Sequence, residues 1–139
     1  MKLGLNTNTF ADSDNLESVL KLTNEFGIKN IEFWATNLED TAESVSRFAF
    51  KGKDVKKAKE MIKNAGIDVC CLTYGGGLDP KLVADKKLFS DEFLRAVEIA
   101  CDLGAKVINH YADEMKEYEE INFSYYEEYW AAAIKKAEE

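Results

Sequence analysis

The sequence predicts an α/β fold of four consecutive βα units with parallel strands, half of a (β/α)8 barrel. Three observations carry that expectation. A helix-ending glycine is followed at once by a short apolar strand three times: Gly27-Ile28-Lys29-Asn30-Ile31-Glu32, Gly66-Ile67-Asp68-Val69-Cys70-Cys71 and Gly104-Ala105-Lys106-Val107-Ile108-Asn109. The later copies recur at roughly 38 residues, enough for one strand, one helix and two loops, so the repeat reads as tandem βα units rather than a solenoid. The strands also alternate. Gly4, Asn6 and Asn8 in the first and Glu32 in the second would sit badly under a helix, whereas the strands of a doubly wound open sheet, covered on both faces, run nearly continuously in Val, Ile and Leu. No G-x-G-x-x-G, no G-x-x-x-x-G-K-[ST] and no acidic pair ending the first strand speaks for the open sheet.

The first strand is expected from Lys2 to about Thr9, with Leu3, Leu5 and Thr7 on one side. Asp14, three residues before Glu17, makes a capping-box start for the first helix, and Leu16, Val19, Leu20, Thr23 and Phe26 form its apolar stripe before Gly27 ends it. The second strand covers about Asn30 to Ala35. A long connection over 36–53, with a helical turn around Glu43 to Phe48, leads to a second helix marked by Val55, Ala58, Met61, Ile62 and Ala65. Asp68 to Thr73 form the third strand. A glycine-rich loop then leads to a helix capped by Ser90, with Phe93, Ala96, Val97, Ala100 and Cys101 facing inward. The fourth strand runs from Lys106 to about Tyr111. An acidic loop and a last helix follow, starting at Ser124 with Glu127 as its box partner and Tyr126, Trp130, Ala133, Ile134 and Ala137 on one face.

With 139 residues, 46% of them hydrophobic, the chain suffices for one domain over 1–139 with a real core. A whole barrel of this type needs about 200 residues or more, so only half of one is expected. Cys70, Cys71 and Cys101 are odd in number and form no C-x-x-C pair, which reads as reduced core thiols rather than disulfides or a zinc site. No apolar stretch matches a signal peptide or a membrane span, so cytoplasmic residence is expected, without a membrane partner. A formal net charge of −8 argues against a nucleic-acid partner. Loops after strands are long and loops after helices short, which places chemistry at the carboxyl ends of the strands.

The segments Gly27 to Trp34, Ala65 to Val69 and Ala96 to Val107 resemble the xylose isomerase-like TIM-barrel family, in the family's order of elements and over essentially the whole chain. That family holds sugar isomerases, sugar-phosphate and ketose epimerases and a zinc-dependent DNA-repair branch. The resemblance implies a divalent metal (Mn, Mg, Zn or Co) held by Glu, Asp, His and Glu from strands five to eight, where it polarises sugar oxygens while a carboxylate moves the proton. Those strands lie outside this chain. The chain is therefore expected to hold no metal or other cofactor by itself and to be inactive alone.

Glu32 matches a glutamate the family commonly carries on strand two, pointing into the barrel. It would hydrogen-bond at the pocket centre or organise neighbouring strands as a buried carboxylate. Trp34 faces the same way, to pack on a sugar's apolar face or simply on the core. Asn6 and Asn8 end the first strand, where amides fix hydroxyls by donating and accepting at once, or serve the turn into the first helix. Tyr74 with Gly75-Gly76-Gly77 offers a phosphate cradle or a flexible loop. Aligned on the three glycines, Glu32, Cys71 and Asn109 share one face and His110 turns toward the helices. The family, however, has a strand-four histidine near this position that ligates zinc in its repair branch, and a slip of one residue reverses the face. The third strand supplies no histidine, which together with the acidic charge argues against DNA repair.

The leading function is the N-terminal half of a metal-dependent sugar or sugar-phosphate isomerase or epimerase in carbohydrate metabolism, supplying substrate contacts. The alternative is an inert half-barrel, a binding module or engineered fragment. A third reading is an open-sheet binding protein. A homodimer through the edge strands is expected, since nothing in the first strand protects its edge.

Overall fold

Strands and helices alternate as β1 (Gly4–Asn6), α1 (Leu16–Glu25), β2 (Asn30–Trp34), α2 (Val55–Asn64), β3 (Asp68–Tyr74), α3 (Lys86–Leu103), β4 (Ile108–His110) and α4 (Phe123–Glu138). The computed structural model describes residues 2–7, 15–34, 54–74, 86–110 and 123–139, with the backbone alone at 74, 86–89, 92 and 123–129. The expected helical turn near Glu43 and the glycine run at 75–77 lie outside the described residues.

The repeated glycine is one helix stop used three times. Gly27, Gly66 and Gly104 adopt φ of 70, 65 and 78°, a left-handed conformation that strains any residue with a Cβ. At each stop the next N–H reaches back five residues: Ile28 to the Thr23 carbonyl (3.0 Å), Ile67 to Ile62 (3.3 Å) and Ala105 to Ala100 (2.8 Å). These bonds satisfy carbonyls that the last turn leaves open and aim the chain into the following strand. Asn24 donates through Nδ2 to the Ala65 carbonyl (3.0 Å) and accepts through Oδ1 from Lys29 Nζ (2.6 Å), joining the first two stops.

The helix starts differ from expectation. Asn15, not Asp14, caps α1, its side chain accepting from the Ser18 N–H at 2.9 Å. Asparagine supplies the same acceptor one residue later, so the chemistry is as expected and the position is not. Asp54 caps α2 through the Lys57 N–H (3.0 Å). α3 begins at Lys86, so Ser90 is an interior residue and not the cap, and α4 begins at Phe123, one residue before Ser124.

The four strands are parallel in the order β1-β2-β3-β4. One face of the sheet carries Ile31, Phe33, Val69 and Leu72, which share a single core with Leu16 and Leu20 of α1, Val55, Ala58 and Ile62 of α2, and Ala96, Ile99 and Ala100 of α3. α4 joins the same side, with Trp130 stacked on Phe93 of α3 and Ala133 buried. With the helices on one face the sheet is a barrel segment and not a doubly wound layer. Phe26 departs from the expected stripe. It caps α1 past its last turn and is 69% exposed, whereas Leu16, Val19, Leu20 and Thr23 are buried.

Candidate functional site

Strand register decides which side chains meet on the face away from the helices. Asn6 pairs with Glu32 and Glu32 with Cys71, which makes one row, and Trp34 pairs with Thr73 and Thr73 with Asn109, which makes the next row toward the strand ends. Neighbouring positions in register share a face, and residues two apart on one strand share it too. Five elements of polar chemistry and one indole therefore converge on the concave side: two amides, a carboxylate, a thiol and a hydroxyl beside Trp34.

The rows are cross-linked. The fully buried Thr73 donates its hydroxyl to Glu32 Oε1, fixing the carboxylate from the row above. Thr7, also fully buried, accepts the Trp34 backbone N–H at 2.9 Å and extends the β1–β2 ladder toward the strand ends. Burial first, and the Glu32 carboxylate second, raise the Cys71 thiol above its ordinary value, while a backbone hydrogen bond from Asn109 and the Thr73 hydroxyl partly offset that rise.

Of the residues expected to line a pocket, Asn6, Glu32, Trp34 and Asn109 come together on this face. Asn8 lies outside the described residues. Tyr74 closes β3 opposite His110 in the register. His110 is a correction. Its ring packs edge-on against Phe93 (centroids 4.9 Å apart) and Trp130 (5.8 Å) on the helix side, one residue out of phase with Asn109, so it does not line the concave face. Sequence reasoning passed over Thr73 and Thr7 because threonine in a strand is ordinary composition. Their one signal was position, each two or fewer residues from a strand end beside a candidate residue.

This arrangement of strands and helices has known relatives. The sequence pattern of the xylose isomerase-like TIM barrel family matches residues 20–139. The chain belongs to that family. Among solved structures it is similar to a protein from Sinorhizobium meliloti 1021 (19% identity, TM-score 0.67, covering 98% of this chain and 46% of that one). It is similar as well to a sugar phosphate isomerase/epimerase from Parabacteroides distasonis ATCC 8503 (15%, 0.63, 98% and 48%). A xylose isomerase domain protein from Alicyclobacillus acidocaldarius subsp. acidocaldarius gives 20%, 0.59, 99% and 44%. Identities this low show the shared fold alone, and the chain spans less than half the length of each of these proteins. No curated protein matches it.

Set against the family's divalent metal, the donors on this face do not fit. Among the described residues no three His, Cys, Asp or Glu side chains converge as ligands, and one oxygen of Glu32 is already engaged by Thr73. Amides and an indole suit a polyhydroxylated molecule better, since each amide both donates and accepts and the ring covers C–H surface. Among the described residues no helix is long and apolar enough to cross a membrane.

Proposed function

We propose that this chain is the N-terminal half of a metal-dependent sugar or sugar-phosphate isomerase or epimerase, furnishing the part of the pocket that holds substrate. The observation that supports it best is Glu32, pinned by Thr73 and flanked in register by Asn6 on the concave face of a family barrel segment. Asn6 and Asn109 would take sugar hydroxyls, Glu32 would accept from one with its second oxygen, and Trp34 would cover an apolar face of the ring. Asn8 belongs to the same proposal as a further contact, whereas Tyr74, in register with His110 and not with Asn109, does not. The divalent ion, which when bound polarises the sugar oxygens, and the carboxylate that moves the proton would come from strands outside this chain. The free thiols at Cys70, Cys71 and Cys101 accord with a cytoplasmic setting, and the acidic balance with a small-molecule partner rather than nucleic acid.

The reading frame past Glu139 provides the test. A protein carrying both halves should interconvert a ketose or its phosphate with an isomer or epimer in the presence of Mn2+. Glu32→Gln, which keeps an acceptor for Thr73 but removes the charge, should lower kcat/KM roughly tenfold or more. Absence of metal-dependent isomerase and epimerase turnover in that protein would sink the reading.

One observation favours a second reading, a half-barrel completed by another copy. β1 and β4 are the outer strands of the described sheet, and at their feet Leu3 is 73% and Val107 57% exposed. Two copies pairing β1 with β4 would cover both residues and close an eight-stranded ring. Sedimentation of the 139-residue chain at micromolar concentration should then give twice the chain mass of 15.7 kDa. A well-folded species of one chain mass would rule out this pairing.

A further inference from the structure

Val69 and Leu72 are both buried in the core under the helices, three residues apart, a spacing that a regular strand forbids because its side chains alternate with period two. A bulge between the Ile31 and Glu32 pairings resolves it, leaving Cys70 as the extra residue of β3. Both cysteines between those core residues are therefore turned to the concave face.

The contacts agree. Cys70 Sγ lies 3.5 Å from the position a Gly4 Cβ would take, and Gly4 is in phase with Asn6. A Cβ there would make ordinary van der Waals contact with the sulfur, which places the Cys70 thiol directly against β1. The Cys70 thiol donates to the Ile31 carbonyl at 3.2 Å, and Cys71 sits level with Glu32 and feels both that carboxylate and Cys70. Both thiols are free, Cys70 exposed and Cys71 half-buried. Cys70 also lines an open depression of about 760 Å³ at the foot of the sheet with Lys2, Asn30 and Lys106, which gives solvent a route to it.

We propose that Cys70 and Cys71 form a chelating dithiol site for a thiophilic centre satisfied by two sulfur ligands, the class represented by trivalent organoarsenicals. The ligand count selects this class. Zinc takes four ligands, and among the described residues no further His, Cys, Asp or Glu completes a set of three around the pair. A trivalent arsenic already bonded to one carbon needs only two sulfurs. With phenylarsine oxide as the probe, both S–H bonds and the arsenic–oxygen bonds break, two As–S bonds form, and the oxygen leaves with the two protons as one water. Arsenic stays trivalent. The raised Cys71 thiol does not oppose this condensation, which consumes thiols and not thiolates. The site is independent of the sugar-binding reading.

The folded chain should take up one phenylarsenic unit, released by a dithiol and retained against a monothiol. Tryptic mapping should place it on Asn64–Lys81, the fragment that holds both cysteines, whatever the stability of any variant. Cys101→Ser should bind as the parent does, and Cys70→Ser and Cys71→Ser should each lose dithiol-specific retention. Because the bulge pre-orients the pair, affinity should fall at least about tenfold when the chain is unfolded in urea. Arsenic recovered on the Cys101 fragment, retention in either single variant, or equal affinity in urea would each overturn the proposal.

Discussion

Replacing Phe33 by alanine is expected to remove about 3–5 kcal/mol of stability, the range for emptying a fully buried aromatic site. Phe33 is 0% exposed, the fourth of the five residues of β2, and its ring belongs to the core that joins α1, α2 and α3 to the sheet. Strand β2 is paired on both sides, so its backbone cannot shift to fill the void without disturbing two ladders. Domains of this size are stable by only about 5–15 kcal/mol, which makes this single substitution a large share of the whole. Urea titration gives the answer: the midpoint should drop steeply with the slope unchanged, and a loss under about 1 kcal/mol would mean that the helices do not pack here as described.

Thr73→Val should cost about 1.5 kcal/mol, the low end for a hydrogen bond to a charged group, because half-buried Glu32 can still draw on water. Valine keeps the shape of the fully buried side chain and removes only the hydroxyl. Thr73→Ser returns the donor and should recover most of the loss. Equal stability of the valine variant and the parent in denaturant would show that the hydroxyl does not hold the carboxylate.

The parts of this fold legible in the sequence are those counted from the glycine stops. Glu32, Cys71 and Asn109 each lie five residues past such a stop and do share the concave face. Parallel order and the helices on one side followed from the same repeat. Helix starts were less legible because several side chains near each start can cap: Asn15 stands beside Asp14, and Ser90 offers a hydroxyl inside a helix that begins a turn earlier. Phe26 looked like part of an apolar stripe, since periodicity does not report that the last turn has already ended. The bulge was hidden for a different reason. Val69-Cys70-Cys71-Leu72 is apolar throughout, so no change of pattern marks the extra residue. Thr73 gained its role only once β3 was set beside Glu32, a partner 41 positions away in sequence.

The glycine stops also work as a counter for inheritance. Because each strand starts its phase at a fixed stop, a codon gained or lost between stop and strand end changes which chemistry faces inward while leaving helix and cap intact. Between Gly104 and Asn109 the loss of one codon would carry His110 into the place of Asn109 and present an imidazole where an amide now stands.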